Sequence, residues 1–226
     1  MYANISETII NRLSTYLHYL SEEEEQGKKL VSSYDIARVC GVTAGLVRKD
    51  LARFGKFGMK GIGYDVTELC EGIKSIFGLD HTLRVAIIGM ETLGSYLLSF
   101  KEFFNGNYEI VAAFDTNPEA AATRITHESG TPLNILHLDR LGEIHKARRI
   151  DIAMITTIPS AAQEVADHVV QVGIRGILNF TSSYVKAPQG FIVKNIHFAS
   201  VQDSLVYVLQ SSQTDDVVSV PLFSLD

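Results

Sequence analysis

The chain has 226 residues, room for one or two domains, and its 46% hydrophobic and 20% charged content suit a globular protein with a buried core. No apolar run reaches the ~18 residues of a transmembrane helix, and the start, MYANISETIINRLSTYL, lacks the basic and unbroken apolar regions of a signal peptide. A net charge of −6 argues against a protein that is basic throughout, and Cys40 and Cys70 are too far apart for a metal-binding pair, so they read as structural thiols in a reducing cytoplasm.

Ile5, Ile9, Ile10, Leu13, Leu17 and Leu20 recur at helical spacing and predict a first helix over 5–20. Glu22–Glu25 extends or caps it, and Gln26-Gly27 ends it. Ser33–Val39 reads as a short second helix stopped by Gly41, and Thr43 as the N-cap of a third helix over Ala44–Phe54. Two short helices joined by a Gly-containing turn are the helix-turn-helix layout. Leu46, Val47 and Leu51 of the third helix can face inward, which places Arg48, Lys49 and Arg53 on or near the outer face. A recognition helix needs this arrangement to reach phosphates and guanine edges.

From Lys28 to Tyr64 eight basic residues meet only Asp35 and Asp50, a local charge of +6 in an acidic protein. Such a segment is a candidate phosphate-facing surface, although charge alone favours a solvated face. The stretch FGKFGMKGIGYD, with Gly55, Gly58, Gly61 and Gly63 among Lys56 and Lys60, suggests a small β-hairpin wing whose lysines touch the DNA backbone or minor groove. Asp65–Phe77 predicts a connecting helix, and Gly78–His81 a domain boundary.

Beyond the boundary the pattern alternates. Strands are expected at Leu83–Ile88, Glu109–Phe114, Asp151–Thr156, Gly176–Phe180 and Phe191–Ile196, and helices at Thr92–Phe104, Leu138–Arg148 and Ser160–Val172. Near-continuous apolar strands between helices predict a doubly wound parallel sheet, which binds ligands at the carboxyl ends of its strands. There the sequence reads Gly89-Met90-Glu91-Thr92-Leu93-Gly94, a dinucleotide-type glycine turn with Glu91 in place of the middle glycine. Asp115, ending VAAFD, stands near the usual ~20-residue spacing for a ribose partner. The final helix, Phe198–Gln210, carries Val201, Leu205, Val206 and Leu209 at helical spacing, so it covers a sheet face or packs on a partner chain. A polar tail follows.

The segments VSSYDIARVCGVTAGLVRKDLARFGKFGMKGIGYDV, VAIIG…LG, IVAAFDTNPE, AAQEVADHVVQVGIRGILNF and VKNIHFA, in that order, resemble the Rex family of redox-sensing transcriptional repressors. The resemblance spans nearly the whole chain, and RKDL…FGKFG…G.GYDV is its most specific part. It implies a cytoplasmic homodimer bound to palindromic operator DNA. Residues 1–78 form a winged helix-turn-helix, 79–197 a Rossmann-like domain binding NAD(H), 198–211 a domain-swapped helix and 212–226 a tail. Arg48 and Lys49 match the family's recognition-helix cations, and Lys56 and Lys60 its wing. Gly89, Glu91, Thr92, Leu93, Gly94 and Asp115 match its nucleotide loop.

The sensing half departs from the family pattern. Phe100 stands where a switching tyrosine is expected, His197 where its aspartate partner is expected, and His18 where an arginine of the first helix is expected. A carboxylate at Glu91, ~4 Å from a pyrophosphate, would repel it by about 4 kcal/mol at an effective dielectric of ~20, roughly a thousandfold in affinity. A helix N-terminus offsets about 1 kcal/mol of that. Glu91 either bonds the helix N-terminus as an internal stand-in for phosphate or turns into solvent beside a bound nucleotide.

Two functions follow: a dimeric repressor with weak or absent NADH response, or an ordinary NADH-sensing repressor released from DNA by NADH. A Rossmann oxidoreductase would need a proton donor and a substrate domain. His81, His127, His137 and His145 lie in or near loops, where a histidine is more often a surface residue, and a winged helix occupies the remaining length. Recognition of another small molecule, such as a nucleoside phosphate or an acyl-CoA, is a fourth reading.

Overall fold

The computed structural model describes residues 5–59, 61–99, 107–117, 124–126 and 132–211; Lys60, Phe100, His127 and the tail lie outside them. The chain divides after Asp80 into two compact units.

The first unit is helical. Helix α1 (Glu7–Glu25) buries Ile9, Leu13, Tyr16, Leu17 and Leu20, one face of the predicted periodicity. It packs on α2 (Ser33–Cys40) and on α4 (Val66–Phe77). Ser32 caps α2 through a capping box with Asp35, and Gly41, at φ +66°, ends it in the left-handed conformation that glycine adopts without strain. Thr43 opens α3 (Ala44–Ala52) by accepting from the Leu46 amide at 3.2 Å. This helix stops two residues short of the expected Phe54. Asp65 caps α4 by accepting from the Glu68 amide. Strand β1 (Leu30–Val31) pairs antiparallel with β2 (Tyr64–Asp65), closing the unit beneath the wing.

The second unit is an α/β layer structure. Its strands are β3 (Leu83–Ile88), β4 (Tyr108–Asp115), β5 (Arg124–Thr126), β6 (Pro132–His137), β7 (Ile152–Ile155), β8 (Gly176–Asn179) and β9 (Ile192–Asn195). Their order is β5-β6-β4-β3-β7-β8-β9, parallel throughout except for the β5–β6 pair. Without β5 this is the 3-2-1-4-5-6 order of a Rossmann-like sheet. The sequence reading misses β5 and β6. Strand β5 is a three-residue edge strand, and β6 carries Asn134 and His137 among its apolar residues, so neither shows the apolar run of a central parallel strand.

Alternation along β3 sends Ala86 and Ile88 to one core and Val85 and Ile87 to the other. Helices α6 (Leu141–Arg148) and α7 (Ala162–Val172) supply the first core, and α5 (Leu93–Ser99) the second. A short 3-10 turn at Leu138–Arg140 precedes α6, so the predicted helix over 138–148 is two pieces. Helix α8 (Phe198–Ser211) follows β9.

Candidate functional site

The candidate recognition surface is built by anchoring one side of α3. Ala44, Val47, Asp50 and Leu51 are buried, while Arg48, Lys49 and Arg53 are exposed and Leu46 is half-buried. Asp50 is 1% exposed. Arg12 of α1 donates to it bidentately, Nε to Oδ2 at 2.7 Å and Nη2 to Oδ1 at 2.9 Å. The Tyr16 hydroxyl donates to Oδ2 at 3.0 Å. Burial first, and the Asp50 charge second, push the Tyr16 phenol well above its ordinary pKa, so it stays a donor.

Asp35 is also committed internally. It accepts from the Ser32 amide at 2.8 Å and the Ser32 hydroxyl at 2.7 Å, bonds that hold its carboxyl below the usual range. Asp50 is therefore turned inward and paired with Arg12, while Asp35 stays partly exposed and bonded within its capping box. Sequence reasoning missed the Arg12–Asp50–Tyr16 network. Its signal was a carboxylate three residues after Val47, on the inward face of a cationic helix.

Arg48 is positioned as well as exposed. Its Nη1 donates to the Ser33 hydroxyl at 2.7 Å, and its guanidinium carbon lies 6.0 Å from the centre of the Tyr34 ring.

The wing is a tight hairpin in which Met59 and Gly63 form a single antiparallel bridge. Gly63 (φ +117°) accepts no side chain, because a Cβ there would fall 2.5 Å from the Val31 carbonyl oxygen. Phe57 lies against Gly72 of α4 and holds the foot of the wing down. Lys56 is exposed beside it, and Met59 and Ile62 present apolar side chains to solvent.

The nucleotide-type loop joins β3 to α5 where β3 and β7 lie side by side and the strand order reverses. Gly89 (φ +104°) would clash with the Thr157 backbone at 2.5 Å if it carried a Cβ, and Gly94 with the Gly89 carbonyl oxygen at 1.9 Å. The Thr156 hydroxyl donates to that same carbonyl at 2.7 Å. These two glycines thus serve the turn and the helix–strand packing. The Glu91 and Thr92 side chains are exposed and Leu93 is half-buried.

The structure overturns one expectation for Glu91: its carboxylate makes no hydrogen bond or ion pair among the described residues, so it is no internal stand-in for phosphate. Asp115 is 5% exposed. It accepts from the Met90 amide at 2.6 Å and the Asn117 amide at 2.8 Å, so its first duty is to brace two turns. A carboxylate has about four lone-pair sites, which leaves acceptor capacity for a ribose hydroxyl.

The switch positions belong to different elements. His18 is exposed on α1 of the first unit, Phe100 lies outside the described residues, and His197 is in the second unit. The His197 ring stacks on Tyr184 at 5.7 Å, and its Nε2 is buried with no hydrogen-bond partner among the described residues. On α8 that follows it, Leu205, Val206 and Leu209 are more than half exposed. Among the described residues no group of three His, Cys, Asp or Glu side chains is placed to hold a metal. No described helix is long and apolar enough to cross a membrane. Cys40 and Cys70 are buried, and burial pushes the Cys40 thiol up to about 11.

Residues 4–52 match the family model described as "Putative DNA-binding protein N-terminus", and residues 80–183 that of the "CoA binding domain". The redox-sensing transcriptional repressor Rex of Syntrophobacter fumaroxidans is 39% identical over 92% of this chain and 97% of its own. That of Brevibacillus brevis is 38% identical over 89% and 93%. The crystal structure of RSP in complex with β-NAD+ and operator DNA superposes with a TM-score of 0.83 at 31% identity, covering 92% of this chain and 94% of RSP. RSP in complex with β-NADH gives 0.78 at 28%, covering 92% and 95%.

Proposed function

This chain belongs to the Rex family of redox-sensing transcriptional repressors, and from that premise we propose that it is a homodimeric, operator-binding repressor whose response to NADH is weak or absent. Residues 1–78 form the DNA-binding part, 79–197 the Rossmann-like part, and 198–211 a helix exchanged between protomers. The DNA surface consists of Arg48, Lys49 and Arg53 on α3 with Lys56 and Lys60 of the wing. Support comes from the anchored inner face of α3 and the pairing of the buried Asp50 with Arg12. Arg48→Ala costs about 1–3 kcal/mol at a base contact. Lys60→Ala weakens binding to all sequences and lowers the salt slope by about one.

RSP binds NAD+ and NADH, and the loop of this chain keeps the turn glycines and Asp115 that such a ligand uses. Glu91 is the observation that carries the reduced response. It sits between the two glycines, where a pyrophosphate approaches the backbone, its side chain is exposed, and it forms no ion pair among the described residues. The dinucleotide therefore fits this loop poorly. The second reading, an ordinary NADH-released repressor, draws on the exposure of Glu91, which lets the side chain turn away.

Fluorescence anisotropy of the full-length protein on its operator at millimolar NADH decides between them. Retained complex supports the reduced response. Release by low-micromolar NADH would overturn it in favour of ordinary sensing.

A further inference from the structure

We infer that Ser33 and Tyr34, at the start of α2, are specificity-determining residues that act by positioning the Arg48 guanidinium for base reading. The inference rests on the DNA-binding reading of α3. Arg48 is exposed, and an exposed arginine samples many rotamers; ordering such a side chain on binding reduces affinity. Here two neighbours from the preceding helix restrict it beforehand. Ser33 is 8% exposed, so its hydroxyl is fixed by packing, and it accepts from Nη1 at 2.7 Å. Tyr34 is 73% exposed, and its ring lies 6.0 Å from the guanidinium carbon, at the outer reach of a cation–π contact.

Guanidinium has five N–H donors in one plane, and Ser33 engages one of them. The remaining donors keep the fork geometry that matches guanine O6 and N7. The Ser32–Asp35 capping box, one residue before Ser33, fixes the turn that carries both supports. Rigid support is what separates a base-reading arginine from a phosphate-binding one, because discrimination depends on the orientation of the fork and not on its charge.

The test uses the full-length protein and a duplex enriched by the wild type from random-sequence DNA, with a scrambled duplex of equal length as control. Ser33→Ala and Tyr34→Ala should each weaken the enriched duplex between about twofold and tenfold, the range set by freezing one rotamer-rich side chain. Binding to the scrambled duplex and the salt slope should stay unchanged. Ser33→Thr restores the hydroxyl and Tyr34→Phe the ring, and both should recover discrimination. In an Arg48→Ala background neither alanine should have further effect.

Wild-type binding by Ser33→Ala, equal losses on both duplexes, or an undiminished loss in the Arg48→Ala background would each overturn the positioning role. A wild type that enriches no duplex would refute the DNA-binding reading itself, and this inference with it.

Discussion

Asp50 shows how one residue sets the polarity of a helix. Its carboxylate sits on the buried side of α3, and Arg12 and Tyr16 satisfy it. Removing the Asp50 charge leaves Arg12, which is partly exposed, without its partner and weakens charge-assisted hydrogen bonds worth about 1.5–3 kcal/mol. Asp50→Asn should therefore destabilise the protein by about that amount in urea unfolding, although the shape is nearly unchanged; a loss under 1 kcal/mol would mean that the pair does not anchor the helix. The Ser32–Asp35 box makes a pH-dependent prediction. The folded pKa of Asp35 is depressed, so its stabilisation is present above the unfolded value of about 3.9 and is lost as the pH falls through the folded value. The stability gap between wild type and Ser32→Ala should thus hold between pH 7 and 5 and narrow toward pH 3. What remains there is the pH-independent cap bond to the Asp35 amide. A gap that stays constant across this range would remove Asp35 from the account.

Elements whose signals are local were readable in the chain itself. The helix cap at Thr43 and the glycine stop at Gly41 combine short-range chemistry with helical periodicity. Strands β5 and β6 were not readable, because β5 is only three residues long and β6 mixes Asn134 and His137 with its apolar residues. Nor was the inward turn of Asp50, since the partner that makes it stable lies on another helix. The wing falls between these cases: its glycines marked a hairpin, but only packing shows which of them are obligatory. Gly61 (φ +82°) faces open space, so Gly61→Ala carries only left-handed strain of about 1–2 kcal/mol. At Gly63 the same strain is joined by collision with the Val31 carbonyl. Gly63→Ala should destabilise more than Gly61→Ala in thermal unfolding and should lower operator affinity by displacing the wing. Equal effects of the two would show that β1 does not seat the hairpin.

At the scale of the whole molecule, the apolar side chains of α8 are the feature left incomplete in a single chain. Leu205, Val206 and Leu209 stand more than half exposed on one helix, more than scattered surface residues require. If this helix is exchanged between protomers, Leu205→Asp with Leu209→Asp should yield monomers or insoluble protein; a double variant that remains dimeric in light scattering would place the interface elsewhere. Switching requires more than assembly. A ligand shifts a two-state equilibrium only by its differential affinity for the two states, and a shift from 1:99 to 99:1 needs a ratio of ≈10⁴. In the proposed reading Glu91 bears on affinity, whereas His18, Phe100 and His197 bear on the difference between states. The two can be separated experimentally. Glu91→Gly removes a charge whose repulsion is worth up to about 4 kcal/mol and restores close backbone approach, so NADH should bind measurably tighter by calorimetry. Operator release by NADH should nevertheless remain weak in that variant. Phe100 has no hydroxyl with which to exchange partners, and His197 is held by its stack on Tyr184 and brings no carboxylate to the start of α8. Full operator release by Glu91→Gly at low-micromolar NADH would show that the glycine loop alone controls the response and that the three altered positions do not limit it.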